Sequence, residues 1–235
     1  VKDKQQKSLL ILGYDGSGTS MTSGLFRKSW FQGENLIPPT QRNPQGLYED
    51  LDFVTLNGAL LGGHKDVAWR SQMVKGFTPI EKISKSHTQE MEKWCHPPFA
   101  YKDPRSSATH RAWDQVFQSK GVKVGFVVVF RYPPEAITNT VKWAAGPSRQ
   151  QLERFWNELY AFLLVEADEE PERYCFVEYK ELLSRSSQLD HLQEFAGAEL
   201  DRDFINPRWY RTRNRMAKTA TFELYHKLQE RANGQ

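Results

Sequence analysis

The residues of this 235-residue chain that can do chemistry begin at a glycine-rich turn, residues 13–20, which reads Gly-Tyr-Asp-Gly-Ser-Gly-Thr-Ser. Glycine at such positions lets backbone N–H groups turn inward and approach phosphate oxygens closely, and a helix starting there adds its N-terminal dipole. Ser17, Thr19 and Ser20 add hydroxyl donors. The glycine spacing is that of a Walker A loop, but Thr19 stands where the lysine should be. Such a loop binds phosphate and is poorly equipped to neutralise a β/γ pair. The second feature is Arg131, at the end of the apolar run 122–130. A triphosphate-hydrolysing protein ends such a strand with an Asp that holds Mg²⁺. A guanidinium there suits a phosphate directly, in a bidentate contact without metal. Both departures lead away from ATP with magnesium, toward a nucleotide with separate 5′ and 3′ phosphates.

Strands must carry these loops. The run 9–12 is apolar and ends in the glycine turn, after which Met21, Leu25 and Phe26 recur at helical spacing. Residues 99–101 lead into Lys102-Asp-Pro-Arg105, and a helix with Trp113, Val116 and Phe117 follows. Residues 122–130 are β-branched in the middle, as in a strand buried on both faces. Pro133 and Pro134 then turn the chain and suit a helix start. Residues 174–177 form the fourth strand candidate. Helical patterns cover 152–163, 189–195 and 222–228. Alternating strands and helices predict one α/β domain over 1–235, a P-loop-like three-layer α/β/α fold around a parallel sheet of four to five strands. Residues 33–99, rich in turns around one or two helices, are the natural acceptor-binding insertion.

Composition narrows the class. Lys and Arg number 32 against 29 Asp and Glu, a net charge of +3 that is too small to argue for nucleic acid or membrane. No apolar stretch reaches the ~20 residues a bilayer span needs. The polar start has no signal-peptide core, so a soluble, cytoplasmic setting is expected, and the first residue, which is not Met, leaves room for a trimmed upstream segment. Cys95 and Cys175 form no disulfide framework, no zinc spacing exists, and no metal is expected.

Four ordered motifs resemble the PAPS-dependent sulfotransferase family (PAPS being 3′-phosphoadenosine 5′-phosphosulfate), in its branch with a Gly-Ser-Gly-Thr-Ser loop. They are residues 16–20, the Asn-Pro-Gln-Gly-Leu-Tyr-Glu-Asp stretch at 43–50, Lys102-Asp-Pro-Arg105, and the segment 131–139 with its leading Arg. Two softer matches are 176–183, with Tyr179, and the basic segment 205–211. The resemblance implies transfer of a sulfuryl group from PAPS to an acceptor hydroxyl or amine. It implies donor binding by Gly16, Ser17, Gly18, Thr19, Ser20, Arg131, Asn139 (in place of the family's Ser), Tyr179 near adenine, and Arg211.

The family usually has Lys or Arg where this chain has Gly16, so a cation must arrive from elsewhere, with Lys102, Lys142 and Arg105 as candidates. The histidine base of many members is absent, since Pro104 occupies its place. Glu49 is the expected base, its competing role being the cap of a helix starting near Asp50. Asp50 and Asp103 are the reserves. Asp15 reads as a turn former. His64, in a Gly-Gly-His-Lys loop, is an acceptor-site candidate with Asp50, Arg105 and Trp69. His110 could meet phosphate or lie off the site. Trp69, Trp94 and Trp143, nearer loops than Trp113 and Trp156, could stack on a sugar, which favours a saccharide acceptor. The arginines at 208, 211, 213 and 215 could close over the 3′-phosphate or form a solvated face. The rival readings are a P-loop kinase of a small metabolite and a non-catalytic nucleotide-binding module.

Overall fold

The computed structural model describes residues 7–41, 43–142, 144–207 and 219–234. Strand β1 (Ser8–Leu12) is buried along its whole length, as its unbroken apolar run requires. Strands β2 (Ala100–Lys102), β3 (Val124–Phe130) and β4 (Tyr174–Glu178) are equally enclosed. All pair parallel in the order β2-β1-β3-β4, with Leu10 opposite Tyr101 on one side and Phe126 on the other. Four strands thus form the sheet among the described residues.

Side-chain alternation sends each strand's residues to two separate cores. Leu10, Leu12, Phe126, Val128 and Phe130 join Trp113, Phe155, Trp156 and Tyr160 on one face. Leu9, Ile11, Val127 and Val129 join Met21, Leu182, Leu189 and Leu192 on the other. The layers are therefore helix, sheet, helix, as the sequence predicts. Helix α1 (Thr19–Gly24) follows the glycine turn, and α2 (Leu51–Leu60), α3 (Lys65–Lys75) and α4 (Lys85–Glu92) follow it. Residues 33–99 hold these last three helices, where one or two were expected; α2 carries apolar residues on all sides and α3 is largely polar, so neither shows a clear helical stripe. Helix α5 (Ser106–Ser119) connects β2 to β3. Helix α6 (Pro133–Val141) opens on its two prolines, which fix φ where no N–H partner is needed. Helix α7 (Arg149–Glu169) starts at a reciprocal capping box between Ser148 and Gln151. Helices α8 (Tyr179–Ser184), α9 (Ser187–Ala196) and α10 (Thr219–Asn233) complete the layers.

Strand β1 sits between β2 and β3, and the chain leaves its C-terminal end for one side and later returns to the other. The crevice outside the ends of β1 and β3 is thus the topological switch point, where open α/β sheets bind ligands. Among the described residues, no helix is long and apolar enough to cross a membrane.

Candidate active site

A cavity of about 540 Å³ opens at that switch point. Its floor is the turn after β1. Gly13 N–H donates to Ser107 Oγ at 2.9 Å, and Tyr14 N–H donates to Tyr160 Oη at 3.1 Å. Tyr160 in turn donates to Val129 O at 2.7 Å, so one buried hydroxyl ties the turn to β3. Ser17 is fully buried and donates to Tyr14 O at 2.6 Å, which closes the turn and keeps Ser17 out of the cavity lining. Gly16, Gly18, Thr19 and Ser20 line the cavity.

Two glycines are conformationally required. Gly18 has φ of 103°, and a Cβ there would lie 2.1 Å from the Tyr179 ring. Gly16 has φ of 74°, and a Cβ would lie 3.1 Å from Asn139 Cβ. A lysine at 16 would therefore combine left-handed backbone with crowding against α6. A lysine of β2 stands close to the turn. Lys102 Nζ, almost wholly buried, donates to Ser20 Oγ at 3.2 Å and forms a short ion pair with Glu49 Oε1. Both partners line the cavity.

Arg131 stands at the opposite wall. Its Nε donates to Glu135 Oε2 at 2.9 Å, its Nη1 to Gly16 O at 3.4 Å, and its guanidinium lies 4.7 Å over the Tyr179 ring. Asn139 and Tyr179 line the same wall. Three elements therefore hold Arg131 in place: α6, the glycine turn and α8.

Other sequence candidates sit elsewhere or act differently. Asp50, rather than Glu49, caps α2: its Oδ1 accepts from Asp52 N at 2.8 Å and Phe53 N at 3.2 Å, while Oδ2 accepts from Asn35 N at 2.7 Å. Asp103 is fully buried, accepting from Asn57 Nδ2 at 2.9 Å and from Arg105 Nη1 at 2.6 Å. It lies behind the cavity and holds Arg105, which lines it and also reaches Asp66 at 3.2 Å. His64 is exposed before α3 and does not line the cavity. His110 is buried against Ser107 O at 3.1 Å and Tyr174 Oη at 3.3 Å, away from the cavity. Trp69 lines it but is buried, its ring edge-to-face with Phe155 at 5.1 Å. Trp94 packs with Phe53 and Tyr101. Trp69 is buried and Trp94 half-buried among these rings. Trp143 and Arg211, with the arginines at 208, 213 and 215, lie outside the described residues.

Asp15, read from the sequence as a turn former, belongs to the cavity wall. Its carboxylate lines the cavity and accepts from Trp69 Nε1 at 2.5 Å. Burial pushes its carboxyl up to about 6, although the Trp69 N–H acts against the shift. Asp66 and Arg70 were missed, although their i, i+3, i+4 spacing with Trp69 puts all three on one face of α3. Among the described residues, no cluster of three or more His, Cys, Asp or Glu could hold a metal ion.

No family profile matches the sequence, and no curated protein matches it significantly. Solved structures do match. The sulfotransferase domain from the Synechococcus PCC 7002 olefin synthase aligns over 97% of this chain and 98% of its own length, with a TM-score of 0.55 and 14% identity. This chain has the sulfotransferase fold. The sulfotransferase domain from the curacin biosynthetic pathway aligns over 95% and 98%, with a TM-score of 0.50 and 12% identity. The likeness thus spans nearly the whole chain, and the parallel sheet puts the Gly-Ser-Gly-Thr-Ser turn and Arg131 on one crevice.

Proposed function

We propose that the chain is a sulfotransferase that uses PAPS to sulfate a hydroxyl or amine of an acceptor. The observation that carries this reading is Lys102 Nζ, 3.2 Å from Ser20 Oγ and paired with Glu49. It supplies, from β2, the cation that Gly16 cannot, and a fixed cation at a phosphate loop stabilises charge on a departing phosphate.

The residues present fit the donor. Gly16, Gly18, Thr19 and Ser20 line the cavity, with Gly18 packed closely on the Tyr179 ring, and positive charge stands at two separate places, Lys102 by the loop and Arg131 by α6. PAPS supplies an electrophilic sulfur and a 3′,5′-bisphosphate leaving group when bound. Thr19, Ser20 and the N–H groups of the turn hold the 5′ side, and Lys102 neutralises it. Arg131 and Asn139 hold the 3′-phosphate, with Tyr179 beside them and Arg211 as a further expected contact. Glu49 commits Oε1 to Lys102 and keeps Oε2 for the acceptor proton. Asp103 acts through Arg105 as a positioning residue. Residues 33–99 form the acceptor side. A saccharide stays the proposed acceptor class, with Trp69 at the cavity wall.

A kinase reading requires a loop lysine and a magnesium carboxylate; Arg131 occupies the place of the latter. Thermal-shift measurements with 3′,5′-ADP and with ATP-Mg²⁺ separate the two: stabilisation by ATP-Mg²⁺ alone would sink the sulfotransferase reading. Transfer of labelled sulfate from PAPS to a panel of hydroxyl and amine acceptors separates an enzyme from a binding module.

A further inference from the structure

Four cationic side chains line the cavity, and three of them have carboxylate partners: Lys102 with Glu49, Arg105 with Asp103 and Asp66, Arg131 with Glu135. The fourth is Arg70. Among the described residues it forms no ion pair or hydrogen bond, and its Nε is buried without a partner. A cavity-lining guanidinium without a carboxylate partner is best satisfied by carboxylate or phosphate oxygens, which match its planar fork in a bidentate contact.

Arg70 also differs in origin. The described residues assigned to the donor come from the ends of β1, β2, β3 and β4 and from the helices that follow. Arg70 comes from α3, inside residues 33–99. Its neighbours on that face are committed: Asp66 to Arg105, and Trp69 to Asp15. Helix α3 is itself anchored, since Arg154 donates to Val74 O at 2.7 Å and Gln72 brackets Thr78 through two hydrogen bonds. Arg70 is thus presented to the cavity by a fixed helix.

We infer that Arg70 is a recognition site for an anionic group, a carboxylate or a phosphate, carried by the acceptor. This rests on the sulfotransferase reading for the word acceptor, but the anion site itself is a property of α3. The acceptor then has two handles: a hydroxyl or amine directed at Glu49, and a negative charge held by Arg70. Neutral acceptors of the same size bind less tightly.

The test uses two matched pairs, 4-hydroxybutyrate against 1,4-butanediol and glycerol 3-phosphate against glycerol. Calorimetry measures their binding to the full chain saturated with 3′,5′-ADP, for wild type, Arg70→Met and Arg70→Lys. In wild type the anionic member of at least one pair binds tenfold or more tighter than its neutral partner, and which pair responds tells carboxylate from phosphate. Arg70→Met removes the preference, Arg70→Lys keeps part of it, and both bind 3′,5′-ADP as wild type does, which also reports that they fold. Equal binding within both pairs, a preference that survives in Arg70→Met, or a matching loss of 3′,5′-ADP affinity would overturn the inference. Failure of wild type to bind 3′,5′-ADP would instead overturn the proposed function, and the same pairs on the free protein would still decide the role of Arg70.

Discussion

Lys102 and Glu49 form a buried ion pair that reaches the phosphate turn through Ser20. The lysine ends β2 and the glutamate precedes α2, so the pair ties the segment before α2 to the sheet beside the glycine turn. Replacing Lys102 by Met is expected to lower the transfer rate by about 10²–10³, the usual loss on removing one transition-state donor. Glu49→Gln is expected to lower kcat by about 10²–10⁴, the contribution of a positioned base, with 3′,5′-ADP affinity changed far less. Steady-state kinetics with a calorimetric Kd for 3′,5′-ADP checks both. Unchanged kcat in Glu49→Gln would remove Glu49 as the base.

Gly18→Ala puts a methyl group into the Tyr179 ring while forcing an L residue to φ of 103°. The combined strain is expected to destabilise the fold by about 1–3 kcal/mol. Stabilisation by 3′,5′-ADP should disappear as well, because Tyr179 must move. Denaturant melts with and without nucleotide report both effects.

Asp50 holds the start of α2 by accepting from three backbone N–H groups. Asp50→Ala is expected to destabilise by about 1–2 kcal/mol, at the upper end for a lost N-cap. Activity per folded molecule should persist if the residue is a cap. A kcat loss beyond the unfolded fraction, measured at a temperature where the variant is folded, would restore Asp50 to the acceptor site.

Asp15 makes stability depend on pH. Its folded carboxyl titrates at about 6, above its ordinary value of 3.8, so between these values the folded chain binds more protons than the unfolded one. Stability from this group is therefore fully present below 3.8, falls as pH rises toward 6, and is flat beyond. Asp15→Asn should remove that slope, and denaturation midpoints of both proteins across this range provide the measurement. An identical slope in the variant would show that another group is responsible.

The four strands, the phosphate turn, Arg131 and the ordered motifs were legible in the sequence. Each is a local pattern: an apolar run that can only be buried, glycines at fixed offsets, an Arg closing a strand. A strand buried on both faces announces itself because every residue must be apolar, and Leu9 to Leu12 do so. The helices of the insertion were less legible, because α3 is largely polar and shows little apolar periodicity.

What only the tertiary structure decided is which groups meet. Glu49 and Asp50 are adjacent in sequence, and either could have capped α2. The chain turns so that Asp50 accepts the backbone N–H groups and Glu49 faces Lys102, 53 residues away. With Gly16 in the loop, the sequence offered Lys102, Lys142 and Arg105 as cations without deciding among them, and the packing puts Lys102 beside Ser20. Trp69 and Arg70 are neighbours on one helix, yet the first is buried on Phe155 and Asp15 while the second has no partner among the described residues. Local pattern determines strands and turns because it acts through backbone geometry and burial. Charge pairing depends on distance across the crevice, and only the packed sheet fixes that distance.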